Sequence, residues 1–186
     1  GPFSSLIRFS SKKGLDFILE FLNKTADNYA HSEFDDPEKF PNLPDNLKSS
    51  KVQVVEITLN DGAKLKQYCS KRLWFGYHGH EVIQYILQFA LMELENWMID
   101  IVTSLDHPEI FEDLFNKILR NSNSVMPTAI LASIATGFPD KLGNASLPIL
   151  RSPEFYCLDL DRMVSERGEK EKNLFVPKTD PLADLY

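Results

Sequence analysis

Cysteine is scarce. The 186 residues hold two, Cys69 and Cys157, too few for a disulfide framework. Both stand among apolar neighbours, which points to a reducing compartment. Positive charge is in deficit: 20 Lys and Arg face 27 Asp and Glu, a net charge of −7. The basic residues are scattered, so the stripe that a phosphate backbone requires is missing. Nucleic acid is not an expected direct partner. Unbroken apolar runs are also missing. The longest candidate, 82–102, is interrupted by Gln84, Gln88, Glu93, Glu95, Asn96 and Asp100, each costly in lipid. A membrane span is therefore not expected, and the segment reads as a buried helix. A phosphate loop is lacking too. The stretch Gly137-Phe138-Pro139-Asp140-Lys141-Leu142-Gly143 has two glycines and a lysine. It has no Gly-Lys-Ser/Thr ending and no preceding strand, so its glycines read as helix terminators. The start, Gly1-Pro2-Phe3-Ser4-Ser5, has neither the charge pattern of a signal peptide nor an initiator Met. It is expected to be a protease scar or a cut from a longer chain, and the expected location is the cytoplasm.

Large apolar side chains are plentiful. The hydrophobic fraction is 43%, with 13 Phe, 6 Tyr and 2 Trp, enough for a real core in a chain sized for one domain. The predicted fold class is mainly α, an irregular multi-helix bundle or solenoid-like helical array with one β-hairpin at 52–69. A short helix is predicted over Phe3–Phe9. A longer one runs from Lys12 to about Ala30, where Leu15, Ile18, Leu19, Leu22 and Ala26 keep the i, i+3, i+4 spacing. Pro37, Pro41 and Pro44 exclude helix from the segment between His31 and Ser50. A long helix, Glu81 to about Val102, is apolar on most of its circumference and should be surrounded by others. Asp106 reads as the N-cap of a second helix carrying Ile110, Phe111, Leu114, Phe115, Ile118 and Leu119. A third follows Ser124. It is packed with Ala129, Ala132, Ser133, Ala135 and Thr136, and Gly137 and Pro139 close it. One-turn pieces lead to a last helix after Ser152-Pro153-Glu154.

Between the first two helices and the rest, the period changes. The run Val52-Gln53-Val54-Val55-Glu56-Ile57-Thr58-Leu59 is rich in β-branched residues. Asn60-Asp61-Gly62 and the alternating Ala63–Cys69 follow, which is a strong hairpin signal. A lone hairpin is marginal in water, so it should lie on the helices or pair with an outside strand. Residues 1–165 are read as one helical scaffold domain, and 166–186 as a charged linker or tail.

The candidate constellations favour structural readings. Tyr77-His78-Gly79-His80 places two histidines at i, i+2, which with Cys69 or Cys157 would be an unusual zinc set. Either cysteine with a histidine would make a nucleophile and base, but no oxyanion loop accompanies them. Glu93, Asn96 and Asp100 share a helix face and would suit acid–base work. Buried carboxylates more often survive by pairing, here with a neighbour such as Arg120 or Arg151. Asn144-Ala145-Ser146 matches a glycosylation acceptor. Trp74 and Trp97 would line a pocket or, by default, the core. The predicted catalytic, cofactor and metal residues are therefore none.

Three stretches together resemble a known family. The first is Gly1–Ile7 leading into Gly14-Leu15-Asp16-Phe17-Ile18-Leu19-Glu20-Phe21-Leu22-Asn23. The second is Leu73-Trp74 through Tyr77-His78-Gly79, followed by Ala90-Leu91-Met92-Glu93-Leu94-Glu95-Asn96-Trp97. The third is Ser122–Ala135, followed by Phe138-Pro139-Asp140-Lys141. In this order they resemble an internal helical region of large bacterial STAND-type ATPases, some of which are anti-phage defence proteins of the Avs type. Related chains have Tyr-Arg-Gly where this one has Tyr77-His78-Gly79. The resemblance implies a long cytoplasmic parent that binds ATP and Mg²⁺ elsewhere, since the family's catalytic lysine and Mg²⁺-binding acid match nothing here. It implies a non-catalytic scaffold or relay whose partners are other domains of the same chain, a phage protein, or further copies of itself. Two alternatives stand beside it. One is an adaptor that binds a phage or host protein through the hairpin edge by strand addition, whereas in the scaffold reading the hairpin and the acidic loop from Ser32 to Asp45 face the partners. The other is a small acid–base enzyme using Glu93 and Asp100.

Overall fold

A computed structural model describes residues 2–32, 34, 38, 51–76 and 83–175, with backbone alone for Pro2 and 165–175. The protein is mainly helical with one two-stranded antiparallel hairpin, as the sequence predicts. Helix α1 (Pro2–Phe9) and α2 (Ser11–His31) form an antiparallel pair ahead of the hairpin strands β1 (Gln53–Thr58) and β2 (Lys64–Cys69). Then come α3 (Lys71–Phe75), α4 (Tyr85–Ser104), α5 (Pro108–Arg120) and α6 (Val125–Gly137). The short α7 (Pro139–Leu142), a 3-10 turn (Gly143–Ser146) and α8 (Leu147–Leu150) lead to α9 (Pro153–Phe175).

Helix α6 is the axis of the body. Nine of its 13 residues are buried, and it touches α3, α4, α5, α7, α8, β2 and the 3-10 turn. Ala129 and Ala132 let those neighbours approach, and Ile130, Leu131 and Ile134 fill the space between them. Helix α5 lays Phe111, Phe115, Ile118 and Leu119 inward, the i, i+4, i+7, i+8 stripe of an amphipathic helix. Helix α2 does the same with Leu15, Ile18, Leu19, Leu22 and Ala26. It meets α1 at Gly14, where a Cβ would lie 2.5 Å from Ile7 Cα, so only glycine fits.

Several boundaries differ from expectation. The long helix begins at Tyr85, with Gln84 extended as its N-cap, and Glu81 and Val82 lie outside the described residues. It is not enclosed on all sides: Tyr85, Ile86 and Phe89 are exposed. The more enclosed helix is α6, with only Thr136 and Gly137 at its end exposed. His107, not Asp106, is the N-cap of α5, because Pro108 supplies the first helical φ. The segment directly after Ser70 forms α3. There the Ser70 hydroxyl accepts from the Leu73 N–H at 3.3 Å. Helix α9 runs through the charge run at 166–172 to Phe175, where a linker is expected. Alternating Glu and Lys or Arg is compatible with helix when charges of opposite sign fall three or four apart.

Candidate functional site

The hairpin and the helix turn that receives it form the most connected polar cluster among the described residues. Asp61-Gly62 turns the chain. Gly62 takes φ +84°, its N–H donates to Leu59 O at 3.0 Å, and the Ala63 N–H donates to Asp61 Oδ1 at 3.0 Å. That N–H is the first cause of the lowered Asp61 pKa, with the Arg120 guanidinium adding to it. Arg120 of α5 donates to Asp61 Oδ2. Asn60 Nδ2 donates to Glu112 Oε1 and to Asn144 O, both at 2.9 Å. Arg151 reaches Asn60 Oδ1 at 3.4 Å. The tip is thus tied to α5, the 3-10 turn and the end of α8.

Strand β2 is tied just as firmly. The Leu59 N–H donates to Ala63 O at 2.8 Å. In the observed register this makes Ile57–Leu65, Val55–Gln67 and Gln53–Cys69 the hydrogen-bonded pairs. The Tyr68 N–H therefore points away from β1, and it donates to Asn123 O at 2.7 Å. Asn123 in turn donates from its backbone N to Asn23 Oδ1 at 2.9 Å and from Nδ2 to Asn23 O at 3.0 Å. Behind it, fully buried Thr128 donates to Gln67 Oε1 at 2.7 Å, and Gln67 Nε2 donates to Ser122 O at 3.3 Å. A buried amide keeps its place only where such partners exist. Together these bonds clasp α2, β2, the α5–α6 turn and α6.

On the other face of the hairpin Glu56 pairs with Lys64 at 2.7 Å. Lys64's hydrogen bond holds the Glu56 carboxyl below its usual value, and Glu56 raises Lys64 in return.

The residues singled out from sequence are scattered. Asp100 is exposed and pairs with Arg8 of α1 at 2.8 Å, not with Arg120 or Arg151, because α1 lies along α4. Glu93 is half-buried, Asn96 is exposed, and neighbouring Glu95 accepts from Ser133 at 3.0 Å. Cys69 is buried and its thiol is pushed up to about 11, first by desolvation. Cys157 is exposed. Tyr77-His78-Gly79-His80 and most of 32–45 lie outside the described residues. Among the described residues no group of three His, Cys, Asp or Glu could hold a metal ion. No described helix is long and apolar enough to cross a membrane. Trp74 and Trp97 are core residues. Trp74 stacks on Phe155 at 4.9 Å and donates from Nε1 to Asp159 at 3.0 Å, which docks α9. Asn144 and Ser146 lie in the 3-10 turn, where the Asn144 carbonyl serves the hairpin tip.

Two clefts stand out. One, of about 160 Å³, lies between Tyr29, Arg72, Leu87 and Met126. The other, about 70 Å³, lies between α6 and α9 over Ala132, Ala135 and Tyr156. Each carries a single charged side chain, Arg72 and Asp159 respectively. Arg72 lies over the Phe34 ring at 5.3 Å, and Asp159 already serves Trp74 and Arg162. Both clefts are smaller than the few hundred Å³ that enclose an ordinary small-molecule ligand.

The clasp was missed by sequence reasoning. Its only signals are a glutamine on the core side of a strand and a threonine inside an otherwise apolar helix. No protein-family model matches this chain, and neither does any curated protein.

Proposed function

We propose that this chain is a non-catalytic helical scaffold, a signal-relay segment of a larger ATP-binding protein of the anti-phage defence kind. The supporting observation is α6, a rod packed against seven other elements with nine of its 13 residues buried. A close-packed rod cannot shift by a fraction of a side chain without repacking its neighbours. Displacement at one end is therefore passed on or resisted as a whole. A relay of this type works when two packings differ by a few kcal/mol. Its partners are the other domains of the same long cytoplasmic chain, with a phage protein or further copies as the trigger. ATP and Mg²⁺ belong to the parent's nucleotide-binding part, and no residue here is assigned to them. The resemblance to STAND-type ATPases motivates the choice of parent, and the close packing of α6 supports the relay role.

Purified protein incubated with ATP and Mg²⁺ tests the reading. Phosphate release at the buffer rate is expected. Turnover above that rate, abolished by a substitution in this chain, would end the scaffold reading.

A further inference from the structure

The two edges of the hairpin differ. The β2 edge is held at one end by the α5–α6 turn, where the Tyr68 N–H donates to Asn123 O, while the outward backbone groups of Lys64 and Lys66 bond to nothing among the described residues. On β1 the register that pairs Val55 and Ile57 with β2 turns the N–H and C=O groups of Val54, Glu56 and Thr58 outward. Among the described residues nothing bonds to them. Edge strands are ordinarily guarded by a proline, a bulge, charged side chains or a covering helix or loop; α8 touches β1 but bonds to none of these outward groups. Strand β1 has neither proline nor bulge. Its single charge, Glu56, is matched from within the hairpin by Lys64 at 2.7 Å and by Lys66 directly across the ladder. Val54 is 59% exposed beside it. Unpaired strand backbone is read by another strand.

We infer that the β1 edge receives an extended peptide segment carrying a lysine or arginine opposite Glu56, with β-branched residues two positions to either side. The flanking pair follows from Val54 and Thr58, whose side chains share the face of Glu56. The basic centre follows from charge: Glu56 has cations on its β2 side and none from the described residues on its open side. A cation there would complete a Lys–Glu–Lys ladder across three strands. The same logic disfavours a second copy of β1 in antiparallel register, which would set Glu56 against Glu56.

The probe is a fluorescent, end-blocked peptide Ser-Val-Thr-Lys-Thr-Val-Ser, titrated against the protein and compared with the version bearing Glu at the centre. Saturable binding is expected, roughly threefold to thirtyfold weaker with Glu, from the range of cross-strand charge pairs. Glu56→Lys should reverse the preference. Thr58→Pro removes one outward donor without touching the internal ladder and should weaken binding of either peptide while leaving the melting curve in place. Bound peptide should slow hydrogen exchange at Val54, Glu56 and Thr58. Absence of saturation, indifference to the central charge, or unchanged exchange at those amides would overturn the inference. So would a concentration-dependent dimer that protects them without peptide. None of these outcomes bears on ATP turnover.

Discussion

Removing the Thr128 hydroxyl is the sharpest perturbation of the clasp. Thr128→Val keeps the shape of a residue that is fully buried in α6. It deletes the donor to Gln67 Oε1 at 2.7 Å. Gln67 is 1% exposed, so its carbonyl oxygen is left without water or partner. An orphaned buried acceptor costs about 1–3 kcal/mol. With an m value of about 2 kcal/mol per molar in urea, the unfolding midpoint should fall by about 1 M. Gln67→Leu in the same background removes the orphan. The double variant should then recover part of the loss, with a coupling of about 1 kcal/mol in the cycle. Urea unfolding followed by far-UV circular dichroism at neutral pH measures all four proteins. A midpoint for Thr128→Val within about 0.2 M of the parent, with unchanged m, would refute the reasoning. It would mean that the Gln67 amide is satisfied from another direction.

Three further outcomes follow from the same structure. Gly14→Ala places a methyl 2.5 Å from Ile7 Cα, a backbone atom that cannot rotate away. The expected cost is about 1–3 kcal/mol, with α1 pushed off α2, readable as a lower melting temperature and faster amide exchange in 2–9. Native protein at pH 8 should react with a maleimide at exposed Cys157 alone. Cys69, with its thiol pushed up to about 11 by burial, should react only after denaturant is added, and mass spectrometry of tryptic peptides separates the two. Acid should loosen the hairpin tip. Asp61 titrates below its ordinary value of 3.8, mainly through the Ala63 N–H. Its stabilisation is thus full above 3.8 and is lost as pH falls through the folded value. Asn60 and Gly62 amide shifts recorded from pH 6 to pH 2 should be flat until that low range. Movement centred between pH 5 and 6 would contradict it.

Periodicity made the amphipathic elements legible. Leu15, Ile18, Leu22 and Ala26 gave α2, Phe111, Phe115 and Ile118 gave α5, and Asp61-Gly62 gave the hairpin turn. The α4 start lies later than expected because helical propensity continues through Ile83 and Gln84, while the Gln84 backbone is extended and the helix begins at Tyr85. The charge run of α9 was misread because solvated charges satisfy helix and linker equally. Enclosure was assigned to α4, whose composition is apolar, when α6 holds the centre. The smaller side chains of α6 admit neighbours around most of its circumference, while α4 leaves Tyr85 and Phe89 outside. The clasp was illegible for a different reason. Asn23, Gln67 and the nearby pair Asn123 and Thr128 come from three distant parts of the sequence, and each looks like an ordinary polar residue until folding brings them together. Asp100 could be recognised as an ion-pair candidate, but its partner Arg8 lies 92 positions away.

The account rests on the helices and hairpin forming one stiff body that moves as a unit. Native-state hydrogen exchange tests this most directly, with the Tyr68 amide, which bonds to Asn123, compared against Ala129, Ile130 and Leu131 of α6. The account predicts that all four open together, with a common free energy equal to that of global unfolding. A Tyr68 amide that exchanges several kcal/mol more easily than α6 would contradict it, because the hairpin would then detach while the helices stayed folded.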